Sequence, residues 1–375
     1  MRADGSSSVS EFLGDDIVFR SLAPVNRRLT PFSAVAGSGT EVGSVPRKME
    51  PAYGSAVCRL LREARSLAAP GVPVERLIYI GDTRLSDGAA FANICRAAGW
   101  PGIAFIADEA EAPVRIDLVS EEDRVLYLTN RWEALDDFDR FCQSRACAID
   151  ERAAVIVDLD KTVLGARGRN DRVIDQARLR ALARTLADVF QDDFDEEAFA
   201  VSYRRVNRPD FHSITADNQD YVAYVCLILS SGVYELRALE EDVGSGRLTT
   251  FGQFLDDVDR RSRHLPPAVR ALHDEVIDAW KRSDPTPFKA FRRNEYLATV
   301  ERMGSSGAEL DVQTILDQQI VITGEIRDAA RIWRSRGALL FGLSDKPDEA
   351  SIPTPELAAG GYLPVHRTQT TVVIS

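Results

Sequence analysis

The stretch AAVIVDLDKTVLG, from Ala153 to Gly165, decides the fold class of this chain. A run of apolar, β-branched residues leads directly into two carboxylates, Asp158 and Asp160. An uninterrupted apolar run of this kind is typical of a strand buried inside a parallel sheet. Because ligands of open α/β sheets bind at the carboxyl ends of the strands, the two aspartates are predicted to lie where chemistry is done.

Asp158 and Asp160 are two positions apart, so on a strand their side chains point to the same face. Neighbouring carboxylates repel each other, and the pKa of one rises unless a cation lies beside them. The pair therefore favours a metal site with one nucleophilic oxygen and one proton carrier. An Asp-x-Asp pattern also occurs in acidic turns and in glycosyltransferase metal sites, so by itself it leaves several chemistries open.

Composition narrows the class of protein. The chain has 375 residues, of which 45% are hydrophobic and 28% charged, as in ordinary globular proteins. A net charge of −12 argues against nucleic acid as a partner, and no apolar run approaches the ~20 residues that span a bilayer. The odd number of cysteines, without metal-ligand spacing, predicts reduced thiols in a cytoplasmic protein. Four scattered histidines predict surface or packing roles: His212, His264, His273 and His366.

Two further apolar strands end in polar loops. One spans residues 75–91 and ends in Gly81-Asp82, with Asp87 five residues further on; the other spans 337–351 and ends in Ser344. A third segment, 31–57, predicts a short strand, a glycine-rich loop at 37–44 and a helix beginning near Lys48. Helical patterns follow or separate the strands, which together predict a doubly wound parallel α/β sheet. The predicted helices span 53–68, 88–98, 133–144 and 325–336.

The middle of the chain differs from both ends. Apolar residues recur there at helical spacing, as in Leu179, Leu182 and Leu186, and no convincing strand interrupts them. We therefore predict a helical insertion large enough to be a domain. The predicted organisation is a disordered tail at 1–14, an α/β core at 15–172, the helical insertion at 173–320 and the rest of the core at 321–375.

The strand ends resemble motifs of the haloacid dehalogenase (HAD) superfamily, most of whose members are phosphatases. The family's first motif, a strand followed by Asp-x-Asp-x-Thr/Val, is matched by Asp158, Asp160 and Thr162. Its second motif, a strand ending in Thr or Ser, often in a Thr-Asn-Lys-Pro-like loop, is matched by Ser344 within LSDKPDEAS. The resemblance covers most of the chain outside the helical insertion.

The other two motifs lie upstream of the first. A lysine at a helix start is matched by Lys48, and a strand ending in Gly-Asp, with a second acid after it, is matched by Asp82 and Asp87. The order along the chain is third, fourth, first, helical insertion, second, which is a circular permutation of the family's order. The resemblance thus implies a permuted, Rossmann-like HAD core with a helical cap.

The resemblance implies a role for each carboxylate. Asp158 is expected to be the nucleophile that forms an aspartyl-phosphate. Asp160 is expected to protonate the leaving alcohol and then to take a proton from the hydrolytic water. The implied cofactor is Mg²⁺, held by the Asp158 side chain, the Asp160 backbone carbonyl and Asp82, with Asp87 as an alternative or outer ligand. A site with only oxygen ligands and few carboxylates suits Mg²⁺, because the ion keeps several of its waters when it binds.

The remaining roles concern the substrate. Ser344 is expected to hydrogen-bond a phosphate oxygen, and Lys48 to offset the charge on the transferring group. Thr162, Arg167 and Arg169 are expected to contact the substrate, a small phosphorylated metabolite. Two alternatives to a phosphatase remain. One is a catalytically idle HAD-like protein with a binding or regulatory role, and the other is a phosphotransferase.

Each motif also has a structural interpretation. The segment around Asp82 predicts a solvated turn equally well, and SDKP is compatible with an ordinary turn before a helix. Lys48 follows Arg47, and a lone lysine before a helix usually faces solvent. Thr323 could take the second-motif role, but it precedes a helix and is expected to cap it.

Overall fold

The computed structural model describes residues 1–36, 45–216, 218–304 and 310–375, and the chain forms two compact units. Unit 1 comprises Met1–Gln176 and Thr299–Ser375, and unit 2 comprises Ala177–Ala298. The strands of the described residues are β1 (Arg2–Ser7), β2 (Ile17–Val18), β3 (Arg76–Gly81), β4 (Gly102–Ala107), β5 (Ile116–Glu121), β6 (Arg124–Thr129), β7 (Ala153–Asp158), β8 (Ile322–Thr323), β9 (Leu339–Leu343) and β10 (Thr370–Ile374).

Helices occur at all four segments where the sequence predicts them in the core, with ends that shift by at most a few residues. The helices are α1 (Val9–Leu13), α2 (Phe32–Ala36), α3 (Pro51–Ala68), α4 (Ser86–Ala98), α5 (Leu135–Ser144), α6 (Asp171–Phe190), α7 (Glu196–Val206), α8 (His212–Thr215), α9 (Gln219–Ser230), α10 (Leu236–Gly244), α11 (Phe251–Arg260), α12 (Pro267–Lys281), α13 (Lys289–Val300), α14 (Val312–Gln318), α15 (Gly324–Ser335) and α16 (Pro355–Ala359).

Unit 1 is built on a seven-stranded sheet in the order β2-β9-β7-β3-β4-β6-β5. Neighbouring strands are parallel throughout, except that β5 is antiparallel to β6. The predicted α/β fold with a mainly parallel sheet is therefore confirmed. The sequence does not predict β5, because this edge strand is largely exposed and carries charges among its apolar residues.

The strands that carry the polar motifs are neighbours in the sheet. β7 lies between β3 and β9, and every residue of β7 is buried, as its continuous apolar run predicts. Val157 pairs in register with Ile80 of β3, and Asp158 with Leu343 of β9. Because these strands are parallel, the residues that follow them emerge at the same edge of the sheet.

Two predictions for the first part of the chain are wrong. Residues 1–14 are not a disordered tail, because β1 pairs with β10 and α1 buries Val9, Phe12 and Leu13. The apolar residues after Pro31 form helix α2 instead of a short strand. The glycine-rich loop predicted at 37–44 lies outside the described residues.

Unit 2 is helical, and no strand lies within its described residues, 177–216 and 218–298. It is shorter than the predicted insertion at 173–320. The difference arises because Ile315 and Leu316 pack with Val321 and Val373, which places the segment after Thr299 in unit 1. Among the residues described, each helix is too short or too polar to cross a membrane.

Candidate functional site

The candidate site lies at the edge of the sheet where β3, β7 and β9 end. Asp82 follows β3, Asp158 is the last residue of β7 and Ser344 follows β9; all three are buried. The backbone N–H of Leu159 donates to the carbonyl of Leu343, which ties the loop after β7 to the end of β9. The parallel register thus gathers polar residues that are far apart in the sequence.

Lys48 joins this group from the turn before α3. Its Nζ donates to Asp158 Oδ1 at 2.6 Å and to Asp87 Oδ1 at 2.8 Å, and lies 3.6 Å from Asp345 Oδ2. Lys48 is buried, so it does not face solvent as a lone lysine before a helix usually does. Its backbone carbonyl accepts a hydrogen bond from Asn93 Nδ2 of α4, which fixes the turn.

Asp87 is the most heavily hydrogen-bonded carboxylate of the site. Its Oδ1 accepts from Tyr79 as well as from Lys48, and its Oδ2 accepts from the backbone N–H groups of Asp82 and Thr83 and from the Thr83 hydroxyl. Gly81 makes room for it, since a Cβ there would lie 2.6 Å from Asp87 Oδ2. The loop after β3 is therefore wrapped around Asp87, and both of its oxygens are occupied.

Asp82 has a different partner. Its Oδ2 accepts from Arg167 Nε, and the Arg167 backbone carbonyl in turn accepts from the indole N–H of Trp132. Arg167 thus belongs to the site, where its guanidinium contacts the Asp82 carboxylate. Arg169 does not enter it: its side chain is 1% exposed, and its guanidinium pairs with Glu109 and Glu325. This burial argues against the predicted contact between Arg169 and substrate.

The burial of these charges shifts their protonation. Burial, together with the neighbouring Asp87, raises the pKa of Asp82 to about 7 in spite of Arg167. Burial also raises the pKa of Asp158 well above its usual range, an effect that Lys48 only partly opposes. Although burial acts against it, Lys48 holds the pKa of Asp87 at about 2. Negative charge at Asp82 and Asp158 is therefore under-compensated by the protein's own cations.

Asp160 and Ser344 follow the ends of β7 and β9 and lie close together. Both line a small cavity next to the loop that follows β7, and Asp160 is half-buried. Ser344 donates its backbone N–H to the carbonyl of Val18, and its hydroxyl accepts from the backbone N–H of Lys346. Ser344 is thus held rigidly at the end of β9.

Two threonines behave differently from their predictions. Thr162 is fully buried, and its hydroxyl has no hydrogen-bond partner among the residues that the structure describes. A direct contact with substrate does not fit this position. Thr323 makes no side-chain cap for α15; its hydroxyl donates to the carbonyl of Thr162. It therefore ties β8 to the loop after β7.

Sequence reasoning missed several contributors to the site, among them Tyr79, Asn93 and Asp345. Tyr79 lies within the apolar run of β3, and its hydroxyl donates to Asp87 Oδ1 at 3.1 Å. Asn93 contacts the backbone of Lys48, which no spacing in the sequence reveals. Asp345 could have been predicted from the sequence, because it directly follows Ser344 at the end of an apolar strand.

The carboxylates of Asp82, Asp87 and Asp158 each offer an oxygen, and these oxygens lie within 4.8 Å of one another. A buried set of oxygen donors with excess negative charge suits a hard cation such as Mg²⁺. The arrangement is thus able to bind a divalent metal next to a buried lysine. The chain matches no protein-family model, no curated protein and no solved structure.

Proposed function

We propose that this protein is a Mg²⁺-dependent phosphatase of the HAD type, which hydrolyses a small phosphate ester through an aspartyl-phosphate. The observation that carries the proposal is the contact of Lys48 with both Asp158 and Asp87. These residues represent three motifs whose order along the chain is permuted, and a permutation of this kind still requires that they meet in space. The adjacency of β3, β7 and β9 supports the same interpretation.

The residues present fit a magnesium ion. Asp82 and Asp158, whose charge is under-compensated, are the proposed side-chain ligands, together with the backbone carbonyl of Asp160. Asp87 is proposed to hold Lys48 and the loop after β3, since hydrogen bonds already occupy both of its oxygens. When bound, Mg²⁺ supplies positive charge that offsets the charge of the phosphoryl group.

The proposed reaction has two steps. A carboxylate oxygen of Asp158 attacks phosphorus, the P–O bond to the alcohol breaks, and Asp160 gives its proton to the leaving oxygen. Asp160 then takes a proton from water, which attacks phosphorus, releases inorganic phosphate and restores Asp158. Lys48 and the Ser344 hydroxyl stabilise the negative oxygens of the phosphoryl group in both steps.

Hydrolysis of p-nitrophenyl phosphate with Mg²⁺ tests the proposal. We expect activity in the wild type and in Asp137→Asn, an exposed control on α5, and none in Asp158→Asn. A wild type that is inert toward a broad panel of phosphorylated metabolites would instead favour the idle binding or regulatory protein. Phosphotransferase activity would appear as transfer to added alcohols or sugars in place of phosphate release.

A further inference from the structure

The strand β5 lies at one end of the seven-stranded sheet, and among the described residues no strand pairs with its outer side. Two of its apolar side chains are exposed, Ile116 at 46% and Leu118 at 44%. An exposed strand edge with apolar residues is a ready template for another strand. The backbone and the charges of β5 determine which strand fits there.

The backbone groups of alternate β5 residues point away from β6. In an antiparallel pair, residues that bond to the neighbouring strand alternate with residues that do not. The N–H of Arg115, just before β5, donates to Asn130 Oδ1 at the end of β6, so Arg115 faces β6. The two-residue turn after Glu121 gives the same alternation, because the residue before such a turn bonds to the residue after it. The residues that offer their N–H and C=O groups to a further strand are therefore Ile116, Leu118 and Ser120.

A second copy of β5 can use all of these backbone groups. When two copies lie antiparallel with Leu118 opposite Leu118, each Leu118 bonds to its counterpart, and Ile116 of each copy bonds to Ser120 of the other. A shift by two residues in either direction leaves two bonded pairs in place of three. Because backbone groups that are covered without a partner are costly, this twofold register is favoured.

The charged side chains on the other face of β5 favour the same register. With Leu118 opposite Leu118, Arg115 of each copy lies opposite Glu121 of the other, and opposite charges at such positions stabilise the pair. The shift in one direction places Asp117 opposite Asp117, and the shift in the other direction places Asp117 opposite Glu121. Like charges directly opposite each other destabilise a strand pair. Hydrogen bonding and charge therefore select one register.

A groove beside β5 has room for the side chain that approaches from the other copy. Glu121 lines this groove together with Val119 and Arg84, and its volume is about 190 Å³. Arg115 is exposed and pairs with Asp117 of its own strand at 3.0 Å, a surface contact that contributes little to stability. Arg115 can therefore exchange this partner for Glu121 of the other copy at little cost.

We propose that this protein forms a twofold-symmetric dimer through β5, in which two seven-stranded sheets join edge to edge into one continuous sheet. The partner is a second copy of this chain, because its own β5 supplies both the backbone groups and the charges that the edge requires. β4 and β6 lie between β5 and the strands of the candidate site. The dimer therefore does not depend on the proposed phosphatase activity.

Sedimentation equilibrium tests the proposal. We expect the wild type to dimerise with a Kd of roughly 1–100 µM, since pairing at one strand edge buries little surface. Arg115→Glu and Glu121→Arg each place like charges opposite each other and should raise this Kd by at least ~10-fold. The double variant restores opposite charges and should return the Kd to within about 3-fold of the wild type.

Arg28→Glu is the control for net charge. It makes the same change of charge as Arg115→Glu, at an exposed position in the loop bonded to β2 at the opposite end of the sheet, and should leave the Kd unchanged. A wild type that is monomeric at roughly 500 µM would overturn the inference. A double variant as weak as the single variants would do so as well, because the two charges would then not face each other.

Cross-linking tests the register directly. Counterparts at position 118 should have Cα atoms about 5.5 Å apart, within reach of a disulfide. Diamide, which takes up two electrons and two protons from a pair of thiols, should therefore convert Leu118→Cys into a covalent dimer. Ile116→Cys should not react, since its counterparts lie roughly 14 Å apart, and the native cysteines are buried. Equal cross-linking of the two variants, or none in Leu118→Cys, would reject the register.

Discussion

Lys48 Nζ lies 2.6 Å from Asp158 Oδ1, although the two residues are 110 positions apart. Both side chains are buried, so each charge depends on the other for its compensation. Removing one partner of such a pair leaves an unpaired buried charge, which is more costly than the pair itself. The contact therefore links the stability of unit 1 to the chemistry proposed for it.

The first prediction concerns this contact. Lys48→Met should lower the free energy of unfolding by about 3–5 kcal/mol, because Asp158 and Asp87 lose their shared cation. Hydrolysis of p-nitrophenyl phosphate should fall by at least ~10²-fold, since a charge next to the phosphoryl group is lost. The control is Arg47→Met, which removes an exposed cation one position away. Urea unfolding and initial rates measure both effects; equal losses in the two variants would contradict the assigned role.

The second prediction separates a metal ligand from a positioning residue. Asp82→Asn should weaken Mg²⁺ binding by about 10-fold or more, because it removes a proposed ligand. Asp87→Asn should leave Mg²⁺ affinity nearly unchanged and lower kcat, since Asp87 holds Lys48 and the loop after β3. Calorimetric titration with Mg²⁺ and the Mg²⁺ dependence of the rate measure the two effects. The reverse pattern would make Asp87 the ligand.

The third prediction concerns the packing of α3 on α4. A Cβ at Gly54 would lie 2.3 Å from the backbone oxygen of Asn93, the residue that holds the carbonyl of Lys48. Gly54→Ala should therefore destabilise the protein by about 1–3 kcal/mol and reduce activity as well. Gly88→Ala is the matched control on α4, where the new Cβ meets only Leu126 Cδ1 at 3.8 Å.

That control should stabilise the protein by roughly 0.5–1 kcal/mol, because alanine loses less backbone entropy than glycine in a helix. Thermal unfolding of both variants measures the difference. A Gly54→Ala protein as stable as the wild type would show that the two helices separate without cost.

The fourth prediction concerns pH and unit 2. His273 is fully buried beside the hydroxyl of Tyr224, and burial lowers its pKa more than Asp259 raises it. The unfolded chain therefore takes up a proton at higher pH than the folded protein does. The stability that neutral His273 contributes is complete above pH ~6.5 and is lost as the pH falls toward the lower folded pKa.

His273→Asn should consequently show a shallower loss of stability between pH 6.5 and 5, by at most ~1.4 kcal/mol per pH unit. Urea unfolding at several pH values measures the slope. His264→Asn, at an exposed position, should keep the slope of the wild type. If all three proteins have the same slope, His273 already binds its proton in the folded state.

The sequence predicts best what depends on local pattern. The continuous apolar runs of β3, β7 and β9 identify buried strands, and the polar residues after them mark the edge where Asp82 and Asp158 lie. Such patterns do not reveal residues that reach the site from other elements: neither Tyr79 nor Asn93 stands in a recognisable spacing. The first 14 residues look polar and tail-like, yet β1 is ordered by pairing with β10, a contact that tertiary structure alone provides.

The position of β9 in the sheet has a consequence for how the protein is made. β3 and β7 leave the ribosome early, but β9, which covers the other edge of β7, follows only after the whole of unit 2 has been synthesised. During that interval the nascent chain exposes an apolar strand edge, the kind of surface that recruits wrong partners. Pairing over such sequence distances is also slow. We therefore expect the protein to depend on chaperones during synthesis and to refold slowly and with aggregation when diluted from denaturant.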